Sequence, residues 1–166
     1  MRLELSSIID RPGESLAFST SVDLSDLVYG ASRPVSEPVT ARGSVRNTAG
    51  VLVMKGVITT CIHGTCDRCA AEFDRDLEIP IDAVLVSELA NEENEDEWVF
   101  PLEADAADLD DIVRTVFVLN MDSKLLCKED CKGLCCRCGK NLNDGPCGCQ
   151  KELDPRFAAL KQLLDK

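Results

Sequence analysis

Cysteine is the residue type best placed to do chemistry in this chain. There are ten, and seven lie between Cys127 and Cys149. That stretch reads Cys127-Lys-Glu-Asp-Cys131-Lys-Gly-Leu-Cys135-Cys136-Arg-Cys138-Gly-Lys-Asn-Leu-Asn-Asp-Gly-Pro-Cys147-Gly-Cys149. Leu134 and Leu142 are its main apolar residues, so burial alone cannot order it. Cys135-x-x-Cys138 can place two thiolates on one ion, because the chain turns tightly around it. Gly139 follows, and glycine accepts the left-handed backbone such turns use. Cys147-Gly-Cys149 is a tighter clip, and Asn143-Asp-Gly-Pro146 is turn chemistry that brings the chain back. Four thiolates, Cys135, Cys138, Cys147 and Cys149, suit a tetrahedral structural Zn²⁺. An iron–sulfur cluster also takes four thiolates and is the competing metal reading. Disulfides fit less well. Cys147 and Cys149 are awkward to bridge to each other, and nothing marks the chain as secreted.

Two more pairs are each half a site. They are Cys66-Asp-Arg-Cys69 and Cys127-Lys-Glu-Asp-Cys131. Together, Cys66, Cys69, Cys127 and Cys131 make a second four-thiolate set that would join the two halves of the chain. The competing readings are a redox pair at Cys66 and Cys69, a disulfide between Cys127 and Cys131, or four idle thiols. Redox chemistry wants the motif at a helix start, where the dipole lowers a thiol pKa. Here Ala70-Ala-Glu-Phe73 leads into strand-like alternation instead. Cys61 ends an apolar run and reads as a small buried side chain. Cys136 should face away from the metal its neighbours bind. His63, the single histidine, reads as a surface residue beside a turn.

These thiols need a scaffold, and hydrophobic periodicity predicts one. Residues 2–5 and 16–22 alternate as strands, with a turn at Asp10-Arg-Pro-Gly-Glu14 between them. Asp23 to Tyr29 reads as a short helix or turn closed by Gly30, and 31–38 as a loop. Residues 39–46 and 51–61 form the clearest hairpin, rich in β-branched residues, with Asn47-Thr-Ala-Gly50 as connector. Gly43 and Gly56 suggest bulges or a close backbone approach. Glu72 to Val86 reads as a strand with one face inward, and Pro80 implies an edge or bulge. The acidic run 91–97 reads as a solvated loop, and Trp98 to Leu102 as a short returning strand. Leu109, Ile112, Val113, Val116 and Phe117 make one stripe of a helix over 108–119, capped by Asp105 or Asp108. Asp154-Pro155 starts a terminal helix with Leu160, Leu163 and Leu164 on one face.

The fold class expected is α+β: an antiparallel β-rich body with a packed amphipathic helix, then a Cys-rich zinc knuckle and terminal helix. The division falls at 1–122 and 123–166. The chain has 166 residues and 45% hydrophobic content, enough for one core, and a formal net charge of −12. So acidic a chain repels a phosphate backbone unless its charge is segregated, and the charge serves either solubility alone or the steering of a basic protein partner. No stretch approaches a membrane span, and the N-terminus lacks a signal-peptide core. Cysteine-rich and without a secretion signal, the protein is expected in the cytoplasm. A zinc closed by four thiolates has no open position for water, so it cannot run hydrolysis. There is no Gly-rich phosphate loop and no Ser/His/Asp constellation, which points away from an enzyme and from a small-molecule substrate. Lys132, Arg137 and Lys140 surround the cysteines, as a candidate partner-binding patch or as an offset to thiolate charge.

The strings Cys66-Asp-Arg-Cys69, Leu126-Cys-Lys-Glu-Asp-Cys-Lys-Gly-Leu-Cys135, Cys138-Gly-Lys-Asn-Leu-Asn143, Cys147-Gly-Cys149 and Asp154-Pro-Arg-Phe-Ala-Ala-Leu160 resemble the YceD family. Cys136 departs from the pattern, where proline is expected, and this bears on knuckle rigidity. The resemblance implies a role in accumulation or processing of large-subunit (23S) ribosomal RNA. The expected protein is then a non-enzymatic ribosome-biogenesis factor that binds a basic ribosomal protein or a pre-50S particle. Direct RNA binding by a zinc protein and thiol–disulfide exchange at Cys66 and Cys69 are the alternatives.

Overall fold

The longest alternating runs of the sequence become one five-stranded sheet. The computed structural model describes residues 1–30, 32–87 and 98–149. The acidic run 91–97 and the terminal helix expected from Asp154 lie outside these residues. In chain order the elements are β1 (Arg2–Glu4), α1 (Ser6–Ile9), β2 (Ser15–Val22), β3 (Val39–Thr48), β4 (Val51–Thr65), β5 (Glu72–Val86), β6 (Val99–Pro101), β7 (Ala106–Asp108) and α2 (Leu109–Asn120). A 3₁₀ turn at Leu142–Asp144 follows. The sheet order is β2-β3-β4-β5-β6, antiparallel except for the parallel β5–β6 pair, and β1 pairs separately with β7. The class is α+β, as the periodicities indicate.

Period-two alternation decides which side is buried. Val39, Ala41 and Val45 of β3, Met54, Ile58 and Ile62 of β4, and Ile79, Ile81 and Ala83 of β5 are buried on one face. On the other face Arg42 and Arg46 of β3 and Asp74, Asp76, Glu78 and Asp82 of β5 are exposed. Helix α2 buries Leu109, Ile112, Val113, Val116 and Phe117, the five residues of its predicted stripe. Asp108 caps it by accepting from the Asp110 N–H at 3.0 Å, and Asp110 and Asp111 load its positive end. Burying Phe117 alone contributes about 1.5–3 kcal/mol.

Gly43 and Gly56 face each other across β3 and β4. A Cβ on Gly43 would meet the Lys55 carbonyl oxygen at 2.2 Å, so the close approach inferred from sequence is real. The hairpin connector is shorter than expected. Only Ala49 and Gly50 turn, with φ of 53° and 94°, the positive pair that matches strand twist. Asn47 therefore belongs to β3 and is fully buried. Its Nδ2 donates to the Ile8 and Ile9 carbonyls at 2.9 and 2.6 Å, and its Oδ1 accepts from the Gly50 N–H at 2.8 Å. That amide ties α1, an element the sequence did not reveal, to the hairpin turn.

The β4–β5 ladder is what positions the candidate site. β3 leaves β4 at Thr59, but β4 and β5 stay paired to Thr65 and Glu72. The sheet thus extends a two-stranded ribbon, and its tip, residues 66–71, carries Cys66 and Cys69. Pro80 is tolerated because β6 pairs only with residues 84–86 of β5.

Candidate metal centres

The ribbon tip folds on itself first. The Ala70 N–H donates to the Cys66 carbonyl and the Cys66 N–H to the Ala71 carbonyl, each at 2.8 Å. Ala70 takes a φ of 54° to close the turn. The chain leaving α2 then crosses the tip. The Asp67 N–H donates to the Leu125 carbonyl at 2.8 Å, and the Leu125 N–H donates to Asp67 Oδ2 at 2.7 Å. Leu125 is buried and sets its side chain near Gly64, where a Cβ would lie 3.3 Å from Leu125 Cδ1. Arg68 Nη1 donates to the Glu129 and Cys131 carbonyls at 3.2 and 3.1 Å, and its own carbonyl accepts from the Leu134 N–H at 3.0 Å. Gly133, at φ 73°, passes so close that a Cβ would stand 2.9 Å from the Arg68 carbonyl oxygen. The two residues inside the Cys66–Cys69 motif are therefore a clasp for the downstream segment.

This clasp brings Cys66, Cys69, Cys127 and Cys131 together, with all four sulfurs within 4.8 Å of one another. We call this the hairpin centre. Cys66 to Cys131 is 3.8 Å and Cys69 to Cys127 is 3.7 Å. Four sulfurs at about 2.3 Å from a tetrahedral zinc sit about 3.8 Å apart. A disulfide needs about 2.0 Å. All ten cysteines are unbridged.

A second quartet, the knuckle centre, gathers Cys135, Cys138, Cys147 and Cys149 within the same 4.8 Å. The Cys135 N–H donates to the Lys140 carbonyl at 2.8 Å and the Gly139 N–H to the Cys135 carbonyl at 2.9 Å. Gly139 has φ 70°, the left-handed turn expected of it. Asn141 caps the 3₁₀ turn, accepting from the Asn143 N–H at 3.0 Å. Lys140 Nζ donates to the Pro146 carbonyl at 3.1 Å and closes the loop. Cys147 and Cys135 sulfurs are 3.3 Å apart. The Leu142 N–H donates to the Gly133 carbonyl at 2.9 Å, which holds this quartet against the first.

Crowding four thiols shifts their ionisation. Burial opposes the Cys66 thiolate, but N–H groups of Cys127, Cys69 and Arg68 outweigh it and bring that thiol down to about 6. Burial, followed by the neighbouring Cys66, pushes Cys127 up to about 12. The Asn143 amide is the leading influence lowering Cys131. In the knuckle, N–H groups of Cys138 and Arg137 lower Cys135 to about 6, and Cys138 beside it raises Cys149 to about 12. Within each quartet some thiolates are thus favoured and others resisted. A divalent cation removes that resistance, so the donor chemistry fits a metal ion.

The remaining candidates fall outside these sets. His63 Nδ1 lies 2.6 Å from Asp74 Oδ1 on the sheet. Cys136 is exposed and belongs to neither quartet. Cys61 is half-buried on the outward face opposite Asp76, less covered than expected, and burial raises its thiol pKa. Lys132, Arg137 and Lys140 are exposed around the knuckle. Cys66 and Cys69 are only 2% and 5% exposed, which is poor access for thiol–disulfide exchange. Asp67, Arg68 and Asn143 appear in the motif strings, but their roles were missed, because each acts on a distant segment.

The architecture defines a class: an α+β protein in which a sheet ribbon and a C-terminal segment share two four-cysteine clusters able to hold metal ions. The profile described as "Large ribosomal RNA subunit accumulation protein YceD" matches residues 54–164, and the chain belongs to that family. It is 26% identical over 162 residues to the "Large ribosomal RNA subunit accumulation protein YCED homolog 1, chloroplastic" of Arabidopsis thaliana, covering 80% of this chain and 50% of that one. An uncharacterised protein of Mycobacterium tuberculosis is 26% identical over 117 residues, covering 69% of this chain and 56% of that one. The chain therefore spans about half the length of the curated relatives it matches. No solved structure matches it. Among the described residues, no helix is long and apolar enough to cross a membrane.

Proposed function

We propose that this protein is a non-enzymatic ribosome-biogenesis factor supporting accumulation or processing of large-subunit (23S) rRNA. It acts by holding a basic ribosomal protein or a pre-50S particle. Family membership supports the ribosomal role. Each centre takes one Zn²⁺, through Cys135, Cys138, Cys147 and Cys149 and through Cys66, Cys69, Cys127 and Cys131. With four sulfurs on each ion there is no position for a reacting water. The metals serve to order residues 123–149 on the 1–122 body, and the cytoplasm is the compartment expected for such work.

One observation carries the choice of partner. Charge is segregated along β5, where Glu72, Asp74, Asp76, Glu78 and Asp82 stand exposed at alternate positions. His63 Nδ1 lies 2.6 Å from Asp74 Oδ1, and Lys55 offsets Asp82 at 3.3 Å. No such counter-ion stands against Asp76 or Glu78 among the described residues. They line an open groove of about 370 Å³ with Glu37, Thr59 and Cys61. Such a surface steers basic partners. Changing Asp76 to Asn and Glu78 to Gln should weaken binding to a basic large-subunit ribosomal protein by about fivefold to tenfold at low salt. Unchanged affinity at low salt would contradict this mode.

Direct RNA binding is the second reading, favoured by the exposed Lys132 and Arg137 at the knuckle. Changing both to Glu should then lower RNA affinity and flatten its salt dependence.

A further inference from the structure

The two centres are neighbours. Cys131 belongs to one and Cys135 to the other, only four residues apart. The 3₁₀ turn of the knuckle also reaches back across the gap. Asn143 Nδ2 donates to Cys131 Sγ at 3.3 Å and to Asn141 Oδ1 at 2.8 Å. Asn143 Oδ1 accepts from the Lys132 N–H at 2.9 Å. One amide is thus held by the knuckle loop while it contacts a sulfur of the hairpin centre and the backbone beside it.

We propose that Asn143 is a positioning residue through which metal in the knuckle centre tightens metal binding at the hairpin centre. The inference rests on reading both quartets as metal sites. An N–H donated to a thiolate disperses its charge and fixes its direction. Partners of this kind, outside the ligand set, change metal affinity by about 10–100-fold. Asn143 keeps its place while the loop between Cys138 and Cys147 is closed, and metal in the knuckle would brace that loop well beyond the single Lys140 contact to Pro146. The hairpin centre thereby senses whether the knuckle is filled. Such coupling is reciprocal: filling the hairpin centre favours the knuckle by the same factor.

The test uses the full chain and Co²⁺, whose thiolate absorption reports each ion, in competition with a chelator. Cys66→Ser leaves the knuckle centre to be read alone, and Cys147→Ser leaves the hairpin centre. In the wild type the hairpin centre should bind about tenfold more tightly than in Cys147→Ser. Asn143→Asp keeps the side-chain shape but puts an acceptor where the donor was. It should cost the hairpin centre about tenfold or more, and the knuckle, which loses only the contact to Asn141, clearly less when measured in the Cys66→Ser background. Adding Asn143→Asp to Cys147→Ser should bring little further loss. If Cys147→Ser does not fold, the comparison of wild type with Asn143→Asp stands on its own. Equal hairpin affinity in those two chains, an equal loss at the knuckle in the Cys66→Ser background, or losses that multiply would overturn the coupling. Two cobalt ions bound independently would sink the coupling alone. A wild-type chain that takes up no cobalt would sink the metal reading and the coupling together.

Discussion

The sheet body and the cysteine segment are ordered by different forces. In the body, β2 to β5 and α2 close on a continuous core from Phe18 and Val22 to Val116 and Phe117. In residues 123–149, the buried hydrophobic side chains are Leu125 and Cys131 alone. A stretch that buries so little cannot offset the ordering cost of its backbone, about 1–2 kcal/mol per residue. On the metal reading proposed above, its order comes from the Asp67–Arg68 clasp, the turns around Gly133 and Gly139, and ions held by two sets of sulfurs. The body should therefore be sensitive to lost volume and indifferent to chelators, and the segment the reverse.

The largest effect expected is in the body. Phe117→Ala should destabilise thermal unfolding by about 3–5 kcal/mol, with metal stoichiometry unchanged. Loss of metal in that variant would erase the distinction between the regions. Asn47→Ala should cost about 1–3 kcal/mol, because it removes the amide bond to the Ile8 carbonyl and strands the Ile9 carbonyl and the Gly50 N–H. Denaturant melts would read this, again without metal loss. On the other side, Gly133→Ala forces a Cβ against the Arg68 carbonyl. It should weaken the hairpin centre about tenfold in chelator competition and leave the melting of the body nearly unmoved. Smallest is Lys140→Ala, which removes one exposed contact to Pro146 and should change stability by no more than about 0.5 kcal/mol.

Periodicity made the body legible. Glu72–Val86 alternates along its whole length, and the α2 stripe repeats at helical spacing, so local sequence carried both. Helix α1 was hidden because it has four residues and depends on Asn47 from a later strand. The direction of β6 was unreadable because a three-residue strand has no pattern that sets parallel against antiparallel. Cysteine spacing grouped the thiols into the two sets of four that the fold assembles. Nothing local showed what assembles them. Asp67 reaches Leu125 across 58 residues and Arg68 reaches Cys131 across 63, and contacts that long leave no periodic trace.

The most direct measurement is metal content paired with hydrogen exchange. Two zinc ions per chain are expected. After chelation, amides of residues 123–149 should lose protection while those of β2 to β5 keep theirs. A metal-free chain in which 123–149 stays as protected as the sheet would contradict it.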